Sequence, residues 1–166
     1  MITLAITPRT FGRRSLTALL MLVAGAGLGV VLAVVGIAAR EFLKHIGEKP
    51  YADLGDLLLG LLVTFWNVLV GSVNGAIDGL TVGIYTGLAT AVVYLLATLL
   101  LTAWLPPQIQ RPAILTLVAL AGATGAFLGC QGILSAYQLW VTLAGLVFGG
   151  LAASTSLPRA QAISSH

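Results

Sequence analysis

The chain has 166 residues, of which 8 are Lys or Arg and 5 are Asp or Glu, which gives a formal net charge of +3. Only 8% of the residues are charged and 58% are apolar, whereas an ordinary soluble domain is about 25% charged. This number of charges is too small to cover the surface of a soluble domain. The composition therefore excludes a soluble globular enzyme. The one cysteine excludes a disulfide scaffold within the chain. The sequence predicts an all-α integral membrane protein, a polytopic bundle of transmembrane helices that forms a single domain over residues 1–166.

Charges and prolines mark where the apolar tracts begin and end. The first tract, Ser15 to Ala39, contains 25 residues without a charge, and one crossing needs about 20. The apolar region of a signal peptide is shorter, about 7–15 residues, so we expect this tract to be a retained span. Residues 41–47 mix apolar and charged side chains, which is typical of a short helix in the membrane interface. All six prolines lie at tract edges, where we expect them to mark helix ends.

The second tract, residues 57–105, is too long for one crossing. Its 49 residues would form a helix of about 73 Å, more than twice the hydrocarbon thickness of about 30 Å. The pairs Asn74-Gly75 and Asp78-Gly79 are its strongest turn signals. The sequence therefore predicts a helical hairpin at this point.

The third tract, residues 113–157, is also longer than one span, and its turn signals cluster over 132–138. The tract lengths together predict five spans with short loops and almost no mass outside the membrane. Their predicted ranges are roughly 15–39, 54–73, 79–105, 113–133 and 137–156.

The basic residues favour one orientation only slightly. Three of them precede the first span and three follow it, so the first helix gives no preference. With five spans, Arg111 and Arg159 join the side that holds the first loop, which makes five basic residues against three. Because basic loops are retained in the cytoplasm, this balance leans towards an outside N-terminus and a cytoplasmic C-terminus.

Glycine is abundant, at 20 of 166 residues, and much of it recurs at intervals of four within the predicted spans. Residues four apart share one face of a helix, and glycine lets two helix backbones approach closely. Either these faces pack the protein's own helices, or they bind other subunits. The candidate packing residues are Gly25 and Gly29 in the first span, Gly71, Gly75, Gly79, Gly83 and Gly87 around the hairpin, and Gly145 and Gly149 in the last span.

Asp78 is the one acidic residue far from the polar junction at 40–56. A carboxylate deep in a bilayer is costly unless it is paired or neutralised, so such a residue is a functional candidate. On an unbroken helix, Asn67, Asn74 and Asp78 share a narrow face and form a candidate polar pathway. At a hairpin, Asn74 and Asp78 would instead cap helices in the headgroup layer. The two interpretations exclude each other, and the five-span count favours the hairpin.

No set of residues in the sequence is typical of catalysis. It contains no Ser-His-Asp set, no Gly-rich phosphate loop and no paired Cys or His spacing typical of a metal site. We therefore expect a protein that is not an enzyme, with no catalytic residue, no metal, no cofactor and no nucleic-acid partner.

Abundant glycine faces and scarce polar residues predict a small non-catalytic multi-pass membrane protein that acts through helix–helix packing. It would be an accessory or scaffold subunit of a membrane assembly, or a homo-oligomer. Its expected partners are the lipid bilayer and either other membrane subunits or itself. The alternative hypothesis is a small channel or carrier for protons or small cations that uses Asn67, Asn74 and Asp78.

Overall fold

The described part of the chain folds into four α-helices and contains no strand. The structure is a computed structural model that describes residues 8–48, 53–131 and 138–157. All four helices are long and apolar enough to cross a membrane. They are α1 (Pro8–Glu48), α2 (Leu54–Trp104), α3 (Pro107–Cys130) and α4 (Gln138–Ser156).

Consecutive helices pack antiparallel to one another. α2 runs back along α1, which brings Gly25 beside Gly87. α3 then returns along the C-terminal half of α2, and Gly129 near its end lies beside Val82. α4 packs against α3, whereas α1 and α4 make few contacts with each other. The order across the bundle is therefore α1, α2, α3, α4, and a groove remains between the first helix and the last.

α2 is one unbroken helix of 51 residues, so the predicted hairpin between spans 54–73 and 79–105 is wrong. Asn74-Gly75 and Asp78-Gly79 lie inside this helix. The physical reason is that both glycines are buried where α1 packs on α2, so the missing side chains serve close helix packing instead of a chain reversal. The chain therefore has four long apolar helices where five spans were expected.

Two smaller expectations about helix ends are also wrong. Residues 41–47, expected as a separate interfacial helix, continue α1 as far as Glu48. Pro112, expected to mark a helix end, lies inside α3, which already begins at Pro107. As the sixth residue of α3 it lies beyond the first turn, so it removes the backbone hydrogen bond that an amide there would donate to the Gln108 carbonyl.

Short connections join the last three helices. Leu105 and Pro106 turn the chain between α2 and α3, and the side-chain amide of Gln110 donates a hydrogen bond to the Leu105 carbonyl at 2.6 Å. The predicted break at 132–138 lies outside the described residues except for Gln138, which begins α4. The last two predicted spans thus correspond to one helix each, α3 and α4.

The four helices close around a core near the N-terminal end of α1. Residues from all four helices meet there in one buried cluster. At the opposite end of the bundle α1 and α4 separate, and this separation opens the groove. The largest members of the cluster are Met21 of α1, Tyr94 of α2, and Ile114 and Val118 of α3.

Candidate functional site

The candidate packing glycines of α1 and α2 lie between these two helices. A Cβ atom built on Gly25 would lie 2.7 Å from the Cα of Gly87, closer than side chains approach one another. The Cβ position of Gly29 points at the carbonyl oxygen of Gly79, so the glycine hydrogen there makes a Cα–H···O contact. Direct backbone contact therefore holds α1 against α2.

The remaining candidate glycines also face helices of the same chain. Gly71 and Gly75 lie under the side chain of Ile37 of α1. On α4, Gly145 and Gly149 lie against the backbone of α3. These faces are thus occupied from within the chain and are not left open to another subunit.

The N-terminal part of α2, residues 54–73, has little comparable cover, and we call it the α2 extension. Thr64 is the buried residue in this stretch. Leu62, Phe65 and Trp66 are 68%, 67% and 62% exposed. The described part of α3 returns only along the other half of α2, so it does not reach the extension. A long apolar helix surface is therefore left uncovered by the chain's own helices.

The groove between α1 and α4 has a volume of about 450 Å³, and α2 forms its floor. This volume lies within the range of about 300–1,000 Å³ that is typical of small-molecule sites. Its walls are mostly apolar: α1 contributes Leu32 and Gly36, and α4 contributes Trp140 and Phe148. Leu32, Gly36 and Trp140 are exposed, so the groove is open along its side.

The polar side chains that line the groove besides Thr86 are Asn74 and Asp78 of α2 and Arg40 of α1. Asp78 is half-buried, whereas the other two are exposed. Within the part of the chain that the structure describes, the Asp78 carboxylate makes no hydrogen bond and no ion pair. An unpaired carboxylate beside apolar walls favours a cation or a hydrogen-bond donor as its neighbour.

The structure brings together only part of the predicted polar pathway. Because α2 is unbroken, Asn74 and Asp78 do not cap a hairpin; both line the groove. Asn67 is exposed on the α2 extension and is not among the groove residues. Beyond Asp78 the floor continues to Thr86, whose hydroxyl donates to the Val82 carbonyl at 2.8 Å and is therefore already satisfied.

Sequence reasoning did not single out Arg40, Gly36 or the α4 aromatic residues as parts of a site. Helical spacing could have found Gly36 and Arg40. They follow the candidate residue Gly29 by seven and eleven residues and so lie on the same side of α1. Trp140 and Phe148 could not have been found in this way. Their place in the groove depends on how α4 sits opposite α1, which no local pattern encodes.

Comparisons with profiles of protein families, with curated protein sequences and with solved structures find no match for this chain. Among the described residues, no three His, Cys, Asp or Glu side chains come together as a possible metal site. The two features of the described residues that point to a function are the exposed α2 extension and the groove that contains the Asp78 carboxylate.

Proposed function

We propose that the protein is a non-catalytic subunit of a membrane assembly, and that its α2 extension binds an apolar helix of another subunit. One observation carries this proposal. The extension is about 30 Å of apolar helix whose large side chains are mostly exposed. A helix that is apolar on all sides is normally buried in lipid or in protein.

The length of α2 favours protein as the cover. Its 51 residues extend about 76 Å, against a hydrocarbon thickness of about 30 Å. Even at a tilt of about 40°, a straight helix keeps only about 26 residues in the hydrocarbon. The C-terminal half of α2 packs with the other three helices, so the extension is the part that remains outside. Each Leu or Phe left in water there would forgo about 1.5–3 kcal/mol of burial.

The side chains of the extension define what its partner must offer. Apart from Asp56 in its first turn, the extension contains no charge, so the complementary surface must be apolar too. Leu58, Leu62 and Phe65 recur at spacings of four and three on one exposed face, as in helices that dock into a groove. Because the glycine faces are already used within the chain, the extension is the surface on which an added helix can pack.

Photo-crosslinking from native membranes tests this proposal. A benzophenone amino acid is placed at Leu62 in the extension and, in a matched control, at Leu100, which is 58% exposed on the other half of α2. We expect a protein adduct of discrete mass from Leu62 and no protein adduct from Leu100, which faces lipid. An adduct of twice the chain's mass identifies a second copy as the partner, and any other discrete mass identifies a different subunit.

Two outcomes would contradict the proposal. Position 62 could yield no protein adduct, which would mean that lipid or solvent covers the extension. Positions 62 and 100 could instead yield the same adducts, which would mean that crowding in the membrane, not the extension, determines the contacts. Substitution of Leu62→Gln should then also leave co-purification unchanged.

We further infer that both ends of the chain face the cytoplasm. Four helices bring the start of α1 and the end of α4 to the same end of the bundle. In the described residues that end carries four basic residues, Arg9, Arg13, Arg14 and Arg111, whereas the other end carries two, Arg40 and Lys44. Because basic residues are retained in the cytoplasm, this orientation replaces the outside N-terminus that followed from five spans.

Cysteine labelling in intact cells tests the orientation. Cys130 is buried and is first replaced by alanine. Gly12→Cys and Leu43→Cys then place single exposed thiols at opposite ends of α1. An impermeant maleimide should label position 43 directly and position 12 only after the cells are permeabilised. The reverse pattern would contradict the inference.

A second candidate function is a carrier or channel for protons or small cations. The observation that favours it is the unpaired carboxylate of Asp78, which shares the groove with Asn74. Purified protein in liposomes should then conduct protons or Na⁺, and Asp78→Asn should abolish the flux. Wild-type protein that conducts neither ion would overturn this candidate and leave the subunit role untouched.

A further inference from the structure

We propose that the groove between α1 and α4 binds a phospholipid whose headgroup carries both a phosphate and a primary amine. The ammonium group lies against the Asp78 carboxylate and the side-chain oxygen of Asn74, and the phosphate faces Arg40. An acyl chain fills the apolar part of the groove. This inference does not depend on the α2 extension or on ion transport.

The shape and lining of the groove suit an acyl chain that enters from the side. Its volume of about 450 Å³ is bounded by apolar side chains, among them Leu28 and Leu32 of α1 and Phe148 of α4. α1 and α4 make few contacts with each other, so the groove opens laterally between two helices that can cross a membrane. A lipid tail can therefore enter from the bilayer without passing a polar barrier.

The two charged residues line the same groove, on opposite sides of one helix contact. Ile37 of α1 packs over Gly75 of α2. Arg40 follows Ile37 by about one helical turn, and Asn74 and Asp78 lie one residue before and three residues after Gly75. Because the helices are antiparallel, Arg40 and Asp78 lie about 9 Å apart along the helix axes, a span that a headgroup with a phosphate and an amine can bridge. Arg40, like Asp78, makes no hydrogen bond or ion pair with any described residue. Among the described residues, the groove thus offers one group of each sign without a partner.

Other ligand classes satisfy only part of this arrangement. A bare metal ion needs several oxygen ligands, and Asp78 supplies the one carboxylate of the groove. A phospholipid without an amine would bring its phosphate beside Asp78 and leave that carboxylate unpaired. A quaternary ammonium carries charge but has no N–H to donate. A primary ammonium forms charge-assisted hydrogen bonds with a carboxylate, and a guanidinium does so with a phosphate.

Two glycines of α1 provide a matched pair of variants. A Cβ atom on Gly36 or on Gly27 would meet no atom within 4 Å, so a side chain can begin at either position without its Cβ atom touching a neighbouring helix. Gly36 lines the groove, whereas Gly27 does not. The substitution Gly36→Phe should therefore block the groove, and Gly27→Phe should leave it open.

Native mass spectrometry of the full chain in detergent tests the proposal. The protein is mixed with equimolar phosphatidylethanolamine, phosphatidylcholine and phosphatidylglycerol that carry the same acyl chains. We expect the ethanolamine lipid to be retained about tenfold more than either competitor, because only it satisfies both charges. Asp78→Asn should remove the preference over the choline lipid, and Arg40→Gln should weaken retention of all three lipids.

The groove variants and a headgroup competitor complete the test. Gly36→Phe should lose the retained lipid, and Gly27→Phe should keep it with an unchanged melting temperature. Glycerophosphoethanolamine, which has no acyl chain, should compete poorly. Equal retention of the three lipids, or retention that survives Gly36→Phe, would overturn the proposal. Displacement by glycerophosphoethanolamine at equal concentration would also overturn it, because the headgroup alone would then be the ligand.

Discussion

The two halves of α2 have the same secondary structure and very different surroundings. The C-terminal half buries Gly79, Gly83, Thr86 and Thr90 against neighbouring helices, whereas the extension buries Thr64 alone. Most of the buried residues are small, with Tyr94 the main exception, and the residues that the extension exposes are large, chiefly Leu, Val, Phe and Trp. Apolar character therefore does not decide which part of a membrane helix packs with others; small side chains do, because they allow backbones to meet.

Threonine can join these close contacts because its hydroxyl is satisfied locally. Thr86 and Thr90 each donate to the carbonyl four residues earlier, at 2.8 Å and 2.5 Å. Thr64 makes the same bond to Gly60 at 2.9 Å. A buried polar atom that is bonded within its own helix needs no partner on the next one, so threonine packs much as valine would.

The largest effect is expected where backbones touch. Gly83→Leu should destabilise the protein by about 3 kcal/mol or more, because α1 and α2 must move apart. Even a Cβ atom there would lie 2.8 Å from the Cα of Ala26. The free energy of unfolding in mixed detergent micelles measures this. Gly27→Leu, at a position where a Cβ atom would meet nothing within 4 Å, should leave stability unchanged. An equal loss in both variants would contradict the role of close packing.

A smaller loss of stability is expected when a substitution leaves a cavity in the buried cluster. Ile114 is 2% exposed and belongs to the buried cluster, so Ile114→Ala should cost about 2 kcal/mol. Leu62→Ala in the extension should change the stability of the isolated chain by less than about 0.5 kcal/mol. The same unfolding titration compares the two. A comparable loss from Leu62→Ala would show that the extension is packed within the chain.

The start of the extension is stabilised by one N-cap residue, Asp53. The Asp53 carboxylate accepts a hydrogen bond from the amide of Asp56 at 2.8 Å, and removing such a cap costs about 1 kcal/mol. Asp53→Ala should therefore speed hydrogen exchange at the first turns of α2, while exchange near Thr90 stays unchanged. Faster exchange along the whole helix would mean that the two halves unfold together.

The smallest effect is expected for the buried hydroxyls. Thr90→Val keeps the shape of the side chain and removes a bond made within the same helix, so stability should change by about 0.5 kcal/mol or less. Thr64→Val in the extension should change stability by an equally small amount. A loss of several times that size at Thr90 alone would show that its hydroxyl also serves a neighbouring helix.

Much of the architecture could be predicted from the sequence because it depends on local composition. The lengths of the apolar tracts predicted long helices at α1, α3 and α4. The error lies in α2, where Asn74-Gly75 and Asp78-Gly79 are typical of turns in soluble loops. Their role changes because a second helix packs on the glycines, and that contact lies about fifty residues away in sequence (Gly29 with Gly79).

The candidate site was predictable only in part, for the same reason. Asp78 and Asn74 stand out in any apolar tract because charge and amide groups are rare there. Arg40 adjoins them only because α1 turns back along α2, and Trp140 and Phe148 adjoin them only because α4 ends up opposite α1. Which residues of distant helices complete a site depends on how the helices pack, and local spacing does not encode that packing.

The four-residue spacing also determines how firmly α1 and α2 are aligned. α2 repeats glycine more often than α1, which presents Gly25 and Gly29, so a slide by one helical turn would again set glycine on glycine. The glycine repeat therefore determines which helix faces meet, but it does not determine the position of α1 along α2. Ile37, seated on Gly71 and Gly75, opposes a slide towards the start of α2, because one turn further in that direction Asn67 takes the place of a glycine.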